Sequence, residues 1–190
     1  MIFWLVKIIT YIPLKILFPT IVVGKRNIPK GKVILVCNHR SNIDYAYLFT
    51  FLWRKQYVLS KEELYKNKIA SKFFKSCGGI PVNRDSVGIG TIKNCLQVLK
   101  NDKVLTIFPE GTRNKTNQDL LEFKGGASVF AVKSDAPIVP IFITKKPRLF
   151  VFNRIVIGKP IFFDKTYAGE EGVNNANLLI REKMLELKNK

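Results

Sequence analysis

Val33-Ile-Leu-Val-Cys37 is an unbroken apolar run of strand length, without the polar alternation of a half-exposed strand. A strand of this kind is buried on both faces, so the fold must cover it from two sides. Val104–Phe108 and the stretch from Pro137 to Thr144 repeat the pattern. Residues at helical spacing lie between and after these runs. Tyr45, Leu48, Phe49 and Leu52 predict a helix over about residues 42–53. Ile92, Cys95, Leu96 and Leu99 predict one ending near Asn101, and Ile180, Met184 and Leu187 mark a closing helix with a charged outer face. Shorter elements fill the gaps: strands near residues 56–59, 80–82, 154–157 and 161–163, and a short helix from Gly125-Gly126 to Lys133. Ser60-Lys-Glu-Glu63 has capping-box form and opens a two-part helix through Ile69, Phe73 and Phe74 to Gly78. The alternation predicts an α/β fold, a largely parallel or mixed sheet flanked by helices, over residues 25–190.

Residues 1–24 form a separate segment, apolar apart from Lys7, Thr10, Lys15 and Thr20, with Trp4 and Tyr11 as interface-type aromatics. A signal peptide does not fit, because no small-residue cleavage site follows and the lysines sit inside the apolar run. A spanning helix over Met1 to Val23 would reach about 35 Å. Lys7 and Lys15 lie within it, however, and Pro13 and Pro19 interrupt it. Two short helices lying in the membrane interface, their lysines reaching up to headgroups, fit better than a spanning or a soluble packing helix.

Charge agrees with a lipid surface. Thirty-two Lys and Arg stand against 14 Asp and Glu, a net charge of +18. Such a field attracts nucleic acid, anionic headgroups or phosphorylated small molecules. Nucleic acid is the distant alternative, because there is no zinc spacing, no aromatic RNA-recognition signature and no clear helix-turn-helix. Cys37, Cys77 and Cys95 are too scattered for a disulfide framework, and no pair has metal-ligand spacing, so a reducing, cytosol-facing setting is expected.

Three predicted strands run into polar turns, at residues 38–44, 83–85 and 109–114. Parallel neighbours would bring these turns to one carboxyl edge, where sites form. The first holds His39, the only histidine in the chain. Imidazole ordinarily titrates near 6.5, which suits it to accept a proton at neutral pH. Such a base needs a carboxylate to fix its tautomer and stabilise the imidazolium. Asp44 can serve only if the chain turns between them, since residues five apart on one helix are about 140° apart. Plainer readings stand beside this one. Ser41-Asn-Ile-Asp44 also reads as a helix cap, and Cys37 is either a thiol nucleophile activated by His39 or core packing. In Phe108-Pro-Glu-Gly-Thr-Arg113, Gly111 permits a tight turn and Arg113 offers a fork matched to phosphate oxygens. Glu110 either orients that guanidinium or binds a substrate hydroxyl; a polar loop with a surface ion pair is the alternative. Arg84 and Lys124 are further cations of the same kind.

Asn38-His39-Arg40-Ser41-Asn42-Ile43-Asp44 resembles the Asn-His-x-Ser-x-x-Asp motif, with its His-x4-Asp core, of the glycerolipid acyltransferases, specifically the 1-acyl-sn-glycerol-3-phosphate acyltransferases. Phe108-Pro-Glu-Gly-Thr-Arg113 is similar to a second block of that family. Gly79 to Arg84 and Ile138-Val-Pro-Ile141 resemble two more, in the family's order. Pro81, Asn83 and Asn114 depart from the residues more usual there. The resemblance implies a one-step transfer in which His39, oriented by Asp44, deprotonates the sn-2 hydroxyl of lysophosphatidic acid. That hydroxyl attacks the thioester of acyl-CoA or acyl carrier protein, giving phosphatidic acid. It implies an acceptor site of Arg84, Glu110, Gly111, Thr112 and Arg113, with Pro140 near the acyl chain. It implies no metal or bound cofactor, and a peripheral or monotopic place on the cytoplasmic face of the cell membrane. Another lysolipid acceptor is the nearest alternative.

Overall fold

The computed structural model describes residues 2–83 and 87–190. Among these, the strands β1 (Thr20–Val23), β2 (Val33–Cys37), β3 (Gln56–Lys61), β4 (Gly79–Val82), β5 (Val104–Ile107), β6 (Ile138–Ile143) and β7 (Asn153–Ile157) form one sheet. Their order is β1-β7-β6-β2-β5-β3-β4. The β4-β3-β5-β2-β6 part is parallel throughout, as the alternating pattern predicts. β7 turns back antiparallel to β6, and β1 runs parallel to β7. The sheet is therefore mixed.

The apolar strands are buried on both sides. Ile34 and Val36 join Leu105, Ile107 and Ile138 on one face, under α4 (Ile89–Lys100), α5 (Gly126–Ser134) and α6 (Gly169–Glu186). Val33, Leu35 and Cys37 join Val139, Ile141 and Ile143 on the other, against Tyr47, Leu48 and Phe51 of α2 (Asp44–Phe51). This alternation within β2 is why the sequence run has no polar partner at every second position.

The N-terminal segment differs from expectation. One helix, α1 (Ile2–Leu17), carries Pro13 inside it, and Thr20–Val23 is a strand on β7 rather than a second helix. No helix among the described residues is long and apolar enough to cross a membrane. α1 is about 24 Å long, against a hydrocarbon core of about 30 Å. Lys7 does not reach up to headgroups. It is fully buried, and its ammonium donates to Phe49 O and, at 2.7 Å, to Leu52 O at the end of α2. The outward face of α1 is apolar instead, with Leu5, Ile8, Ile9, Ile12 and Ile16 all exposed.

Two further local readings are corrected. The expected two-part helix forms, as a 3-10 turn at Glu62–Tyr65 and a longer helix after it, but Ser60 lies within β3 and bonds the Tyr65 hydroxyl, so it caps neither. The cap of α3 (Lys68–Ser76) is Asn67, whose side chain accepts from Ile69 N and Ala70 N. Near residues 161–163 only a single bridge forms, between Ile161 and Ile138. Ser60 fits the capping pattern, but β3 pairing with β4 claims it first.

Candidate active site

Because β2 and β5 are parallel neighbours, the turns that follow them lie side by side. The turn after β2 brings His39 and Asp44 together: His39 Nδ1 and Asp44 Oδ2 are 2.8 Å apart. The same Oδ2 accepts from Arg40 N at 2.6 Å and Ser41 N at 2.7 Å. Asp44 therefore begins α2 and reaches back to organise the turn, while no side chain caps the helix itself. The carboxylate thus combines turn closure with imidazole orientation. Asp44 is fully buried and the His39 side chain is 12% exposed, stacked on Phe108 at 4.3 Å. With Nδ1 held by the carboxylate, Nε2 is the ring nitrogen left for a ligand.

The second motif grips the first. Glu110 Oε1 accepts from His39 N at 2.8 Å, and its Oε2 from Leu121 N at 3.0 Å. Asn114 N donates to His39 O at 2.7 Å. Asn38 pairs through both polar ends of its amide with Ile143, at the end of β6. The backbone around His39 is thus fixed from β6 on one side and from the β5 turn on the other. Burial pushes the Glu110 carboxyl above its ordinary pKa, opposed by the two N–H donors and by the charges of His39 and Arg40. Both carboxylate oxygens accept backbone donors inside the protein, so Glu110 clamps the His39 backbone.

Cys37 is buried in β2 on the α2 face. Burial, with Asp44 and Glu110 adding, pushes its thiol well above its ordinary pKa, the opposite of an activated nucleophile. Core packing is the reading that the geometry supports.

Two cavities adjoin the turn. An apolar groove of about 570 Å³ is lined by His39, Phe108 and Arg113, by Val6, Thr10 and Leu14 of α1, and by Tyr45, Phe49, Phe73 and Phe74. A polar cavity of about 460 Å³ is lined by Gly111, Thr112 and Lys124 and by Lys61, Glu62, Glu63 and Lys66. Lys61 faces both. Gly111 has φ +64, and a methyl group there would press on the Lys124 stem, so a glycine keeps this turn open to the lysine. Among the described residues no group of three or more His, Cys, Asp or Glu side chains is placed to hold a metal ion.

Residues 20–144 match the family model described as Acyltransferase. The chain belongs to the acyltransferase family. It is 30% identical over 151 residues to the 1-acyl-sn-glycerol-3-phosphate acyltransferase of Bacillus subtilis, covering 74% of this chain and 72% of that one. It is 33% identical over 153 residues to the yeast (Saccharomyces cerevisiae) enzyme of the same name, covering 74% of this chain and 50% of that one. Among solved structures, that of the 1-acyl-sn-glycerophosphate (LPA) acyltransferase PlsC from Thermotoga maritima superposes with a TM-score of 0.70 at 25% identity. The match covers 90% of this chain and 73% of that one.

Within this acyltransferase fold the expected residues divide. His39 and Asp44 are in contact, Gly111 and Thr112 line the polar cavity, and Arg113 lines the groove. Glu110 is buried behind His39, and Arg84 lies outside the described residues. Pro140, expected beside a chain-binding wall, is buried in β6, where Gly158 lies close to its ring; the groove has no β6 residue in its lining. Sequence reasoning missed Lys61 and Lys66 and the α1 wall of the groove. Nothing local marks two lysines among 32 cations, and only the fold brings residues 6–14 to the turn at His39.

Proposed function

We propose that the protein transfers a fatty acyl group from acyl-CoA or acyl carrier protein to the sn-2 hydroxyl of lysophosphatidic acid, giving phosphatidic acid. The observation that carries this reading is the place of His39: an imidazole backed by a buried carboxylate, beside an apolar groove and next to a lysine-lined cavity. The groove has the character to take the acyl chain, and Lys61, Lys66 and Lys124, with Gly111 and Thr112, to take the acceptor phosphate. Arg113, and Arg84 by resemblance, would add to that anion site.

His39 Nε2 takes the proton of the sn-2 hydroxyl as its oxygen attacks the thioester carbonyl carbon. Asp44 holds the ring by Nδ1 and stabilises the imidazolium that forms. The tetrahedral intermediate collapses, the carbon–sulfur bond breaks, and the departing sulfur receives the proton from Nε2. No covalent acyl-enzyme forms, which agrees with a buried, poorly acidic Cys37. The exposed isoleucine face of α1 lies in the cytoplasmic leaflet interface, where acceptor and product reside.

Glu62 and Glu63 beside the lysines favour a second reading, in which the acceptor is a lysolipid with a cationic headgroup. Thiol release from acyl-CoA in detergent, measured across lysolipid acceptors, separates the two. Lysophosphatidic acid is expected to be fastest, and a zwitterionic acceptor that outpaces it would reverse the assignment. His39→Ala is expected to reduce transfer by about 10²–10⁴-fold with the fold intact. A folded variant with near-normal transfer would sink the base assignment.

A further inference from the structure

The connection between β6 and β7 exposes four consecutive large apolar residues: Leu149 at 57%, Phe150 at 68%, Val151 at 42% and Phe152 at 67%. Leaving this much hydrocarbon in water is unfavourable in proportion to its area, and surface loops are ordinarily polar. The loop is also held in shape. Asn153, buried at its base, accepts from Lys145 N at 3.1 Å and from Arg154 N at 2.8 Å, and donates to Lys145 O at 2.7 Å. Phe150 N donates to Leu17 O at 2.7 Å and Asn153 N to Pro19 O at 3.0 Å, so the loop is stitched to the end of α1. Phe150 has φ +59, a left-handed conformation that a bulky residue adopts at a cost. With its side chain this exposed, little burial within the chain offsets that cost.

The charges around the loop have one sign. Lys145, Lys146, Arg148 and Arg154 are exposed beside it, and no acidic residue occurs between Thr144 and Asp164. We infer that residues 149–152 form a wedge that inserts into the interface of an anionic phospholipid bilayer, a second attachment point joined to α1. This rests on the membrane-lying reading of α1. Apolar side chains would enter the headgroup–acyl boundary while the flanking cations meet lipid phosphates. One inserted element leaves a protein free to rotate about it, whereas two fix its orientation. Since α1 lines the groove beside His39, that orientation sets where the groove meets the bilayer.

The test uses the full chain and vesicles of phosphatidylglycerol with phosphatidylcholine. Phe150→Ser/Phe152→Ser is compared with wild type and with Ile8→Ser/Ile12→Ser in α1. The loop variant is expected to partition onto these vesicles at least about ten-fold more weakly. It should keep wild-type thiol release in detergent micelles, which also shows that it folds. Unchanged partitioning of the loop variant, with loss in the α1 variant, overturns the wedge and leaves the α1 reading standing. A wild type that dimerises without lipid, and a loop variant that does not, would assign the patch to a second copy and overturn the proposal. Absence of transfer by wild type in detergent bears on the proposed reaction alone, since vesicle partitioning is read without it.

Discussion

Glu110 Oε1 accepts the backbone N–H of His39 at 2.8 Å, so the second motif holds the first at the residue that carries the imidazole. The two motifs are 71 residues apart in the chain and one hydrogen bond apart in space. With Asn114 N on His39 O, the β5 turn fixes both backbone polar groups of the candidate base. In this chain the two blocks thus have complementary places: one carries the imidazole and the other hydrogen-bonds the backbone beneath it.

Glu110→Gln tests that relationship. An amide offers one acceptor where the carboxylate serves two donors, leaving one buried N–H unpaired at a cost of about 1–3 kcal/mol. If that cost falls on the placement of His39, kcat drops by about 5- to 150-fold and KM for the acceptor stays within about twofold. A rise in acceptor KM with kcat unchanged would return Glu110 to a substrate-binding role.

Asp44 is expected to separate orientation from charge. Asp44→Asn can keep an oxygen on His39, Arg40 N and Ser41 N, so it should fold and lose about 10²–10⁴-fold in kcat. Asp44→Ala leaves the Arg40 and Ser41 N–H groups without their acceptor and should also lose about 3 kcal/mol of stability. Urea unfolding and steady-state kinetics on the two variants check both halves. Equal stability of the two would remove the turn-closing role.

Lys61 faces both cavities, and its charge should matter to the acceptor. Lys61→Ala is expected to raise the acceptor KM by about ten-fold with kcat within about twofold, an effect that shrinks as salt is raised. A change confined to the acyl-donor KM would reassign the polar cavity to the donor.

Lys7 gives a pH signature. Burial, with Lys25 adding, lowers its pKa from 10.5 to about 8. The folded state then binds fewer protons than the unfolded state between those values, so stability rises with pH across the window, and below it the burial cost is present in full. Lys7→Met removes the titration. The melting temperature of wild type relative to this variant should climb from about pH 8 to pH 10 and be flat below about pH 7.5. A difference flat throughout would mean that Lys7 stays charged, held by Phe49 O and Leu52 O.

Local pattern made much of this molecule legible. The runs at Val33–Cys37 and Val104–Phe108 announced strands covered on two sides, because burial of both faces removes polar alternation. His39, Asp44 and the Phe108–Arg113 block were legible as turns after strands, and parallel pairing of β2 with β5 placed them together. The strand Thr20–Val23 was not, since an apolar segment beside two prolines reads equally as membrane helix, and its partner β7 lies over 130 residues away. Lys7 departs from its local pattern for a related reason. A lysine in an apolar helix suggests a reach toward water or headgroups, but two carbonyls from a helix more than 40 residues on satisfy it inside the protein.

The sequence by itself determined the alternating strands and helices of the α/β core, the turn that carries His39 ahead of Asp44, and the acyltransferase resemblance, because each is written in pattern over a few residues. Tertiary structure alone decided that Glu110 clamps His39, that Lys61 and Lys66 join Lys124 in one cavity, and that α1 turns its isoleucines outward. Those features depend on side chains meeting backbone or space far away in the chain, and no local period records such a meeting.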